Sequence, residues 1–337
     1  MAKLRRAGRA PLSEAASLRL RAAWLYYSHG LTQQEVAEQL GLGRTTVIRL
    51  LDEALKRGEI RIWIDEGEAS CVELAVKLER ALRLDEAIVT PAGKDVEQTA
   101  KSVGLALGKF LSEAIADNMT IGVGWGRTLT ASLQSFRPAH SHGVTVMSLL
   151  GGAVESRFAN PIDYSWRLAS RLGAECYLFP APLIVDSPET KRRLIEKCGL
   201  DKLYALAKKL DLAVLSVGDI GPNASSLARH LATEKELAEL IALGCVGDAM
   251  CNFFDKDGAS VAHPINQRVM SIDLDTIARA GHVVIACGGA HRAEAISAAI
   301  KRIGCNTLVT DEGAARAILD QSLLPAKRGE GGRAAAG

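Results

Sequence analysis

Apolar and polar positions along this chain change rhythm after its first sixty or so residues. Residues 13 to 28, "SEAASLRLRAAWLYYS", set Leu20, Trp24, Leu25 and Tyr27 at helical spacing, and Gly30 stops the run. Thr32 opens a second helix. Glu35, three residues on, completes a capping box, in which side chains satisfy the free amides of the first turn. Val36 and Leu40 share one face of that helix, Ala37 is small enough for a close crossing, and Gly41 permits a sharp turn. A third helix after Leu42 carries Val47, Leu50 and Leu51 inward. In "LTQQEVAEQLGLGRTTVIRL" (31–50) these positions stand at the offsets of a helix-turn-helix, and Gly58 then turns into "EIRIWID", which suits a small wing.

From Asp85 the pattern becomes short apolar runs separated by helical stretches. "EAIVTP", "MTIGVGWG", "VTVMSLLGG", "AECYLFPAP", "LAVLSVGDIG", "HVVIACGG" and "NTLVTD" read as strands, nearly continuous in apolar character, as in a parallel sheet covered on both faces. Amphipathic stretches such as 97–116, 161–172 and 290–302 alternate with them, which predicts a doubly wound α/β domain. The expected limits are a winged-type helix-turn-helix domain over 1–64, the α/β domain over 65–324 and a disordered tail over 325–337.

Composition adds three constraints. Aromatic residues make up only 4% of the 337, so the core rests on Ala, Leu, Val and Ile. No apolar run reaches the roughly 18 to 20 residues of a membrane span, and "MAKLRRAGRAPL" lacks the apolar stretch of a secretory signal, so a cytoplasmic protein is expected. The seven cysteines are scattered without a C-x-x-C pair or zinc spacing, which predicts reduced, buried thiols and no metal site.

Charge divides the chain. Residues 1 to 62 hold 11 Lys/Arg against 6 Asp/Glu, and the remainder 30 against 33. A basic head on a mildly acidic body points to a polyanion as the head's partner, although a solvated basic tail accounts equally for Lys3, Arg5, Arg6 and Arg9. The helix-turn-helix leaves Arg44, Thr45, Thr46 and Arg49 on the outer face of its third helix to meet bases or phosphates, with Thr32 and Gln33 at the start of the second. Ile48 lies on a thymine methyl or packs within the head. Lys56, Arg57 and Arg61 suit phosphate contacts near the wing, and a plain three-helix bundle with a polar face is the alternative.

In the body, glycines and polar residues gather after the strands, in "GVGWGRT", "GGAVE", "VGDIG", "GGAHR" and "TDEGA". Ligands of such folds bind beyond the carboxyl ends of the strands. A helix beginning after Gly126 would point its positive end at an anion or hydroxyl. "GVGWG" is not a dinucleotide fingerprint, because its spacing is wrong and no acidic residue ends the next strand; no cofactor is expected. Arg127 and Thr128 begin a helix or hold a ligand, Asp248 is a turn or cap residue or a ligand contact on a loop after a helix, and Arg292 faces solvent or the ligand. Glu155 and Asn160 are weaker candidates of the same kind.

Taken together, the head with "LTQQEVAEQLGLGRTTVIRLLDEA", then "IGVGWGRTL", "GCVGDAMCNFFDKDG", "GGAHRAEAI" and "LVTDEGAA", resembles the SorC family of sugar-responsive transcriptional regulators over roughly residues 15 to 322. The resemblance implies a body similar in fold to glucosamine-phosphate deaminase and ribose-phosphate isomerase, which binds a sugar, polyol or sugar phosphate without turning it over. It places the ligand loop on Gly124, Trp125, Gly126, Arg127 and Thr128, and the acidic contact on Asp248. Arg292 stands where the family often has lysine, which keeps a positive charge and excludes a Schiff base. The implied protein is a homodimer or homotetramer on palindromic operator DNA. An isomerase or deaminase with a DNA-binding head is the competing expectation; Asp248, Glu155 and His291 are available as bases, yet their spacing shows no cooperating dyad.

Overall fold

The computed structural model describes residues 14–27, 29–57, 59, 66–138, 141–153, 160–221 and 232–323. Ile60–Asp65 of the expected wing, with Arg61, lie outside the described residues, as do Gly58, Glu155 and the 325–337 tail. The chain divides into two compact units, Met1–Asp65 and Glu66–Gly337.

The first unit contains helices α1 (Glu14–Tyr27), α2 (Gln33–Leu40) and α3 (Arg44–Lys56). Its capping box forms as expected: Glu35 N–H donates to Thr32 Oγ1 at 3.3 Å, and Thr32 N–H to Glu35 Oε2 at 2.7 Å. Gly41 adopts the left-handed conformation (φ 65°) that ends α2 and turns the chain toward α3. The inner face of α1 differs from the expected one. Ala22, Ala23 and Leu25 are buried against Val36, Ala37, Val47, Leu50, Leu51 and Ala54, while Trp24 and Tyr27 are exposed. A three-helix core this small closes around alanines, and the bulky aromatics one step round the helix stay outside.

The second unit begins with α4 (Glu66–Leu82), β1 (Glu86–Thr90), α5 (Val96–Ala114), β2 (Thr120–Val123) and α6 (Arg127–Ser132). It continues through β3 (Thr145–Ser148), α7 (Pro161–Leu172), β4 (Glu175–Tyr177), α8 (Pro188–Lys197), α9 (Asp201–Ala207), β5 (Leu212–Leu215) and β6 (Val217–Asp219). Next come α10 (Glu234–Ala242), β7 (Cys245–Ala249), β8 (Asn252–Asp255), α11 (Ile265–Arg268), α12 (Leu274–Ile277) and β9 (His282–Ala286). A 3₁₀ turn (Ala290–Arg292), α13 (Ala293–Ile303), β10 (Thr307–Asp311) and α14 (Glu312–Leu323) complete it.

Seven strands form one sheet in the order β1-β10-β9-β5-β2-β3-β4, every pair parallel. The seven apolar runs of the sequence supply them. Strand side chains alternate between two apolar layers, so that Val146, Val284 and Val309 face one way and Met147, Ile285 and Leu308 the other. The first layer is closed by Leu107, Leu111, Leu129 and Leu168 of α5, α6 and α7, the second by Leu78, Ile296, Ala299 and Ile318 of α4, α13 and α14. This is the doubly wound arrangement expected.

Chain order reverses in the middle of the sheet. From β2 the chain steps outward through β3 to β4, returns to β5 on the other side of β2, and then proceeds through β9 to β10 beside β1. The crevice at the carboxyl ends of β2 and β5 is therefore the switch point at which such sheets hold their ligands.

The sequence run "LAVLSVGDIG" is not a single strand. It breaks at Ser216, and β6 joins β7 and β8 in a separate antiparallel sheet. Asp248 accordingly lies inside a strand rather than on a loop. The turn joining β7 to β8 is Met250–Cys251, both with positive φ (50° and 63°). Such two-residue turns are usually marked by Asn-Gly or Asp-Gly, and their absence hid the hairpin.

Candidate functional site

The carboxyl ends of β2 and β9 carry six of the seven candidate effector residues, and Asp248 in β7 is the seventh. Gly124 N–H donates to Val214 O at 2.9 Å, which pins the loop after β2 to the adjacent β5. Trp125 is half-buried against the layer that α4, α13 and α14 cover. Gly126 has φ 135° and ψ 167°, a backbone region essentially reserved for glycine. A Cβ there would meet only Ser216 at ordinary contact distance, 3.6 Å, so conformation and not space demands the glycine. Thr128 is buried. Arg127 is exposed and makes no hydrogen bond or ion pair among the described residues. Helix α6 has six residues, too few to supply a long aligned dipole, which removes the physical basis for an anion site at its start.

Arg292 and Asp219 form a buried ion pair, and Asp248 is buried in the strand beside Asp219, with its side chain on the opposite face of that sheet. Arg292 Nε donates to Asp219 Oδ1 at 3.0 Å, and its Nη1 donates to Gly288 O at 3.4 Å and lies 3.8 Å from Cys287 Sγ. All three charged residues are at most 6% exposed. In the β6–β7 pair Gly218 faces Asp248, and a Cβ on Gly218 would fall 2.2 Å from Asp248 Oδ1. Asp248 Oδ2 accepts from Cys251 N–H at 2.9 Å. Burial, reinforced by the charge of Asp219, pushes the Asp248 carboxyl up to about 6, against the opposing pull of the Cys251 amide and Arg292.

Two residues of this region escape a reading of the sequence. Asp219 ends "VGD" and is the ion partner of Arg292. Asp311, at the end of β10, takes three backbone donors: Gly289 N–H at 2.6 Å and Ala314 N–H at 3.4 Å on Oδ1, and Gly313 N–H at 3.2 Å on Oδ2. It thereby fastens the "GGAHR" loop that carries Arg292. The available signal was an acidic residue closing an apolar strand, which "VGD" and "VTD" share.

The remaining candidates resolve simply. Asn160 caps α7, accepting from Ile162 N–H at 3.3 Å. His291 is exposed, with its ring against Gly289. Four cysteines are buried, Cys176 and Cys305 are half-buried and Cys198 is exposed, a partial departure from uniformly buried thiols. No helix among the described residues is long and apolar enough to cross a membrane.

On the head, Val47, Leu50, Leu51 and Ala54 bury one face of α3 and leave Arg44, Thr45, Ile48 and Arg49 exposed, with Thr46 half-buried. Thr32 is exposed and Gln33 half-buried at the start of α2. Ile48 thus belongs to the outer face. Arg44 and Arg49 have no ion pair among the described residues, whereas Lys56 pairs with Asp52 at 2.7 Å and Arg57 with Glu53 at 2.5 Å. The unpaired cations lie on the face left for nucleic acid.

A helix-turn-helix and a doubly wound α/β unit with a glycine loop at its switch point and a buried Arg292–Asp219 ion pair define the class of a ligand-binding transcriptional regulator. Residues 68–320 match the family described as "Putative sugar-binding domain". The erythritol catabolism regulatory protein EryD of Brucella abortus (strain 2308) is 29% identical over 307 residues, 90% of this chain and 97% of that protein. The transcriptional regulator LsrR of Enterobacter sp. (strain 638) is 30% identical over 305 residues, 89% of this chain and 91% of that protein. The full-length sorbitol operon regulator SorC from Klebsiella pneumoniae shares the fold, with a TM-score of 0.68 at 24% identity over 90% of this chain and 98% of that one. The chain belongs to the SorC/DeoR family of sugar-binding transcriptional regulators. It is a regulator, as these relatives are, and not an enzyme.

Proposed function

We propose that this regulator binds a small sugar or polyol through Gly124, Trp125, Gly126, Arg127, Thr128, Asp248 and Arg292, with Asp219 added from the structure, and that occupancy changes the affinity of Arg44, Thr45, Thr46, Arg49, Thr32 and Gln33 for operator DNA. The observation that carries this reading is the buried Arg292–Asp219 ion pair, with Asp248 buried in the strand beside Asp219, in a domain whose glycine loop follows a strand at the switch point. Burying three charges is costly, and a ligand that completes their hydrogen bonding is what such an arrangement suits. A polyol does so, since each hydroxyl both donates and accepts. One relative, EryD, is named as a regulator of the catabolism of erythritol, a polyol.

One short recognition helix gives limited affinity, so the acting species is a homodimer or homotetramer on a palindromic operator in the cytoplasm. The working domains are 1–64 for DNA and 65–324 for the effector. Effector and operator need about 1–3 kcal/mol of coupling.

The test is thermal unfolding of the full chain with a panel of tetritols, pentitols, hexitols and aldoses. A ligand at about 100 times its Kd stabilises by about 2.7 kcal/mol, a shift of a few degrees for a chain of this size. Asp248→Asn should weaken that response at least about tenfold, or about 1.4 kcal/mol, and leave operator binding intact in a gel-shift assay. Arg49→Ala should do the reverse. A response to the panel that Asp248→Asn leaves untouched refutes this placing of the site.

A further inference from the structure

Among the described residues, Arg292 is the only lysine or arginine buried in the second unit, whereas Asp219, Asp248 and Asp311 are all buried there. Asp311 is occupied by three backbone amides. Arg292 is not a free cation, because Asp219 takes its Nε–H at 3.0 Å and Gly288 O takes a proton of Nη1. An anion approaching Arg292 therefore meets a charge already neutralised, with a second carboxylate, Asp248, in the strand beside Asp219.

The unused atoms point the same way. Asp219 Oδ2, Asp248 Oδ1 and Arg292 Nη2 have no hydrogen-bond partner among the described residues. These atoms are acceptors on two carboxylates and donors on one guanidinium. At the ion pair a hydroxyl suits both partners, donating to Asp219 Oδ2 and accepting from Arg292 Nη2. A phosphate monoester, with its second pKa at about 6, offers acceptor oxygens almost exclusively at neutral pH, so it can use Nη2 but is repelled by the adjoining Asp219 carboxylate.

We propose that Asp219 is the specificity-determining residue of the effector site: by holding Arg292 it fits this end of the pocket to the hydroxyls of an uncharged sugar or polyol and turns away a phosphate. This rests on the reading that the effector binds at the Arg292–Asp219 ion pair. In this arrangement Arg292 is a hydroxyl donor set in place by its partner. Asp219→Asn keeps the shape of the side chain and an acceptor for Arg292 Nε, yet releases the positive charge.

Inorganic phosphate is the probe, titrated at constant ionic strength and near-neutral pH against the full-length native protein and the Asp219→Asn protein, with binding read from the melting temperature. No sugar is present. The Asp219→Asn protein, if its melt is cooperative, should bind phosphate at least about tenfold more tightly than the native one, the change expected when one unit of like charge is removed within a few ångströms of the ion. Adding Arg292→Met to Asp219→Asn should abolish the gain. A smaller gain overturns the proposal, as does a gain that survives Arg292→Met. Should Asp219→Asn melt without cooperativity, Asp219→Ser is the second variant, held to the same tenfold criterion. The sugar panel fails or succeeds independently, since its outcome turns on the polyol response and not on phosphate.

Discussion

Removing the charge of Asp248 should make the protein more stable, and only above mildly acidic pH. Asp248 is 5% exposed in β7, and burial, then the charge of Asp219, pushes its carboxyl up from 3.8 to about 6. The folded state therefore holds a proton that the unfolded chain releases between about pH 4 and pH 6, and stability falls as pH rises through that window. Above it the whole cost applies. A displacement of this size corresponds to about 3 kcal/mol at roughly 1.36 kcal/mol for each tenfold change in proton affinity. Asparagine is nearly isosteric, and its Oδ1 still accepts from Cys251 N–H, the bond that Asp248 makes at 2.9 Å. Asp219 keeps Arg292 in place. The two proteins should thus be close to equal near pH 4, and Asp248→Asn more stable by about 2–3 kcal/mol near pH 8. Urea denaturation at several pH values between these limits measures the difference directly. A difference that does not change with pH, or an asparagine variant less stable throughout, would refute the assignment of the cost to buried charge. The same substitution is expected to weaken the effector response, so that stability and function move in opposite directions at one residue.

Two further substitutions test the frame around these residues. Asp311→Ala leaves the amides of Gly289, Gly313 and Ala314 without their acceptor, and urea denaturation should show a loss of about 2–3 kcal/mol, with a weaker polyol response because the loop bearing Arg292 loosens. Gly126→Ala forces a side chain into a backbone region that only glycine occupies readily, at a cost of about 1–3 kcal/mol; titration with a panel polyol should show the response gone, while gel-shift binding to operator by the unliganded protein persists.

What was legible in the sequence was the part governed by local periodicity. Each of the seven apolar runs from "EAIVTP" to "NTLVTD" became a strand of the parallel sheet, because buried strands need β-branched and aliphatic residues on both faces. Thr32 with Glu35 is a purely local signal, and the cap formed. Less legible was anything that depends on which neighbour arrives. Helix α1 has two adjacent stripes of suitable spacing, and the alanine stripe won because Val36, Val47 and Leu50 crowd it. The Met250–Cys251 turn carries none of the residues that advertise positive φ; burial of both side chains and the acceptor of Asp248 hold it instead. Asp219 could not be matched to Arg292 from the chain, since 73 residues and a change of sheet separate them.

That change of sheet bears on how a ligand could be read out. Gly124–Thr128 and Arg292 follow strands of the parallel sheet, whereas Asp219 and Asp248 belong to the antiparallel one. The Arg292–Asp219 pair already ties the two together, and a polyol held by both sets of residues would add a second tie. A ligand shifts an equilibrium only by its differential affinity for the alternative arrangements. An arrangement in which the two sheets separate loses contacts on one side of the ligand, so binding disfavours it by the worth of those hydrogen bonds, about 1.5–3 kcal/mol for each one to a charged group. One or two such bonds supply the coupling energy that regulators of this kind require. The hairpin is costly in itself, because left-handed residues such as Met250 and Cys251 cost about 1–2 kcal/mol each, and the Asp248 acceptor and the core hold them there. If the effector binds where we propose, Asp248 is the residue at which ligand binding, buried charge and backbone strain meet, and its substitution should be felt in all three.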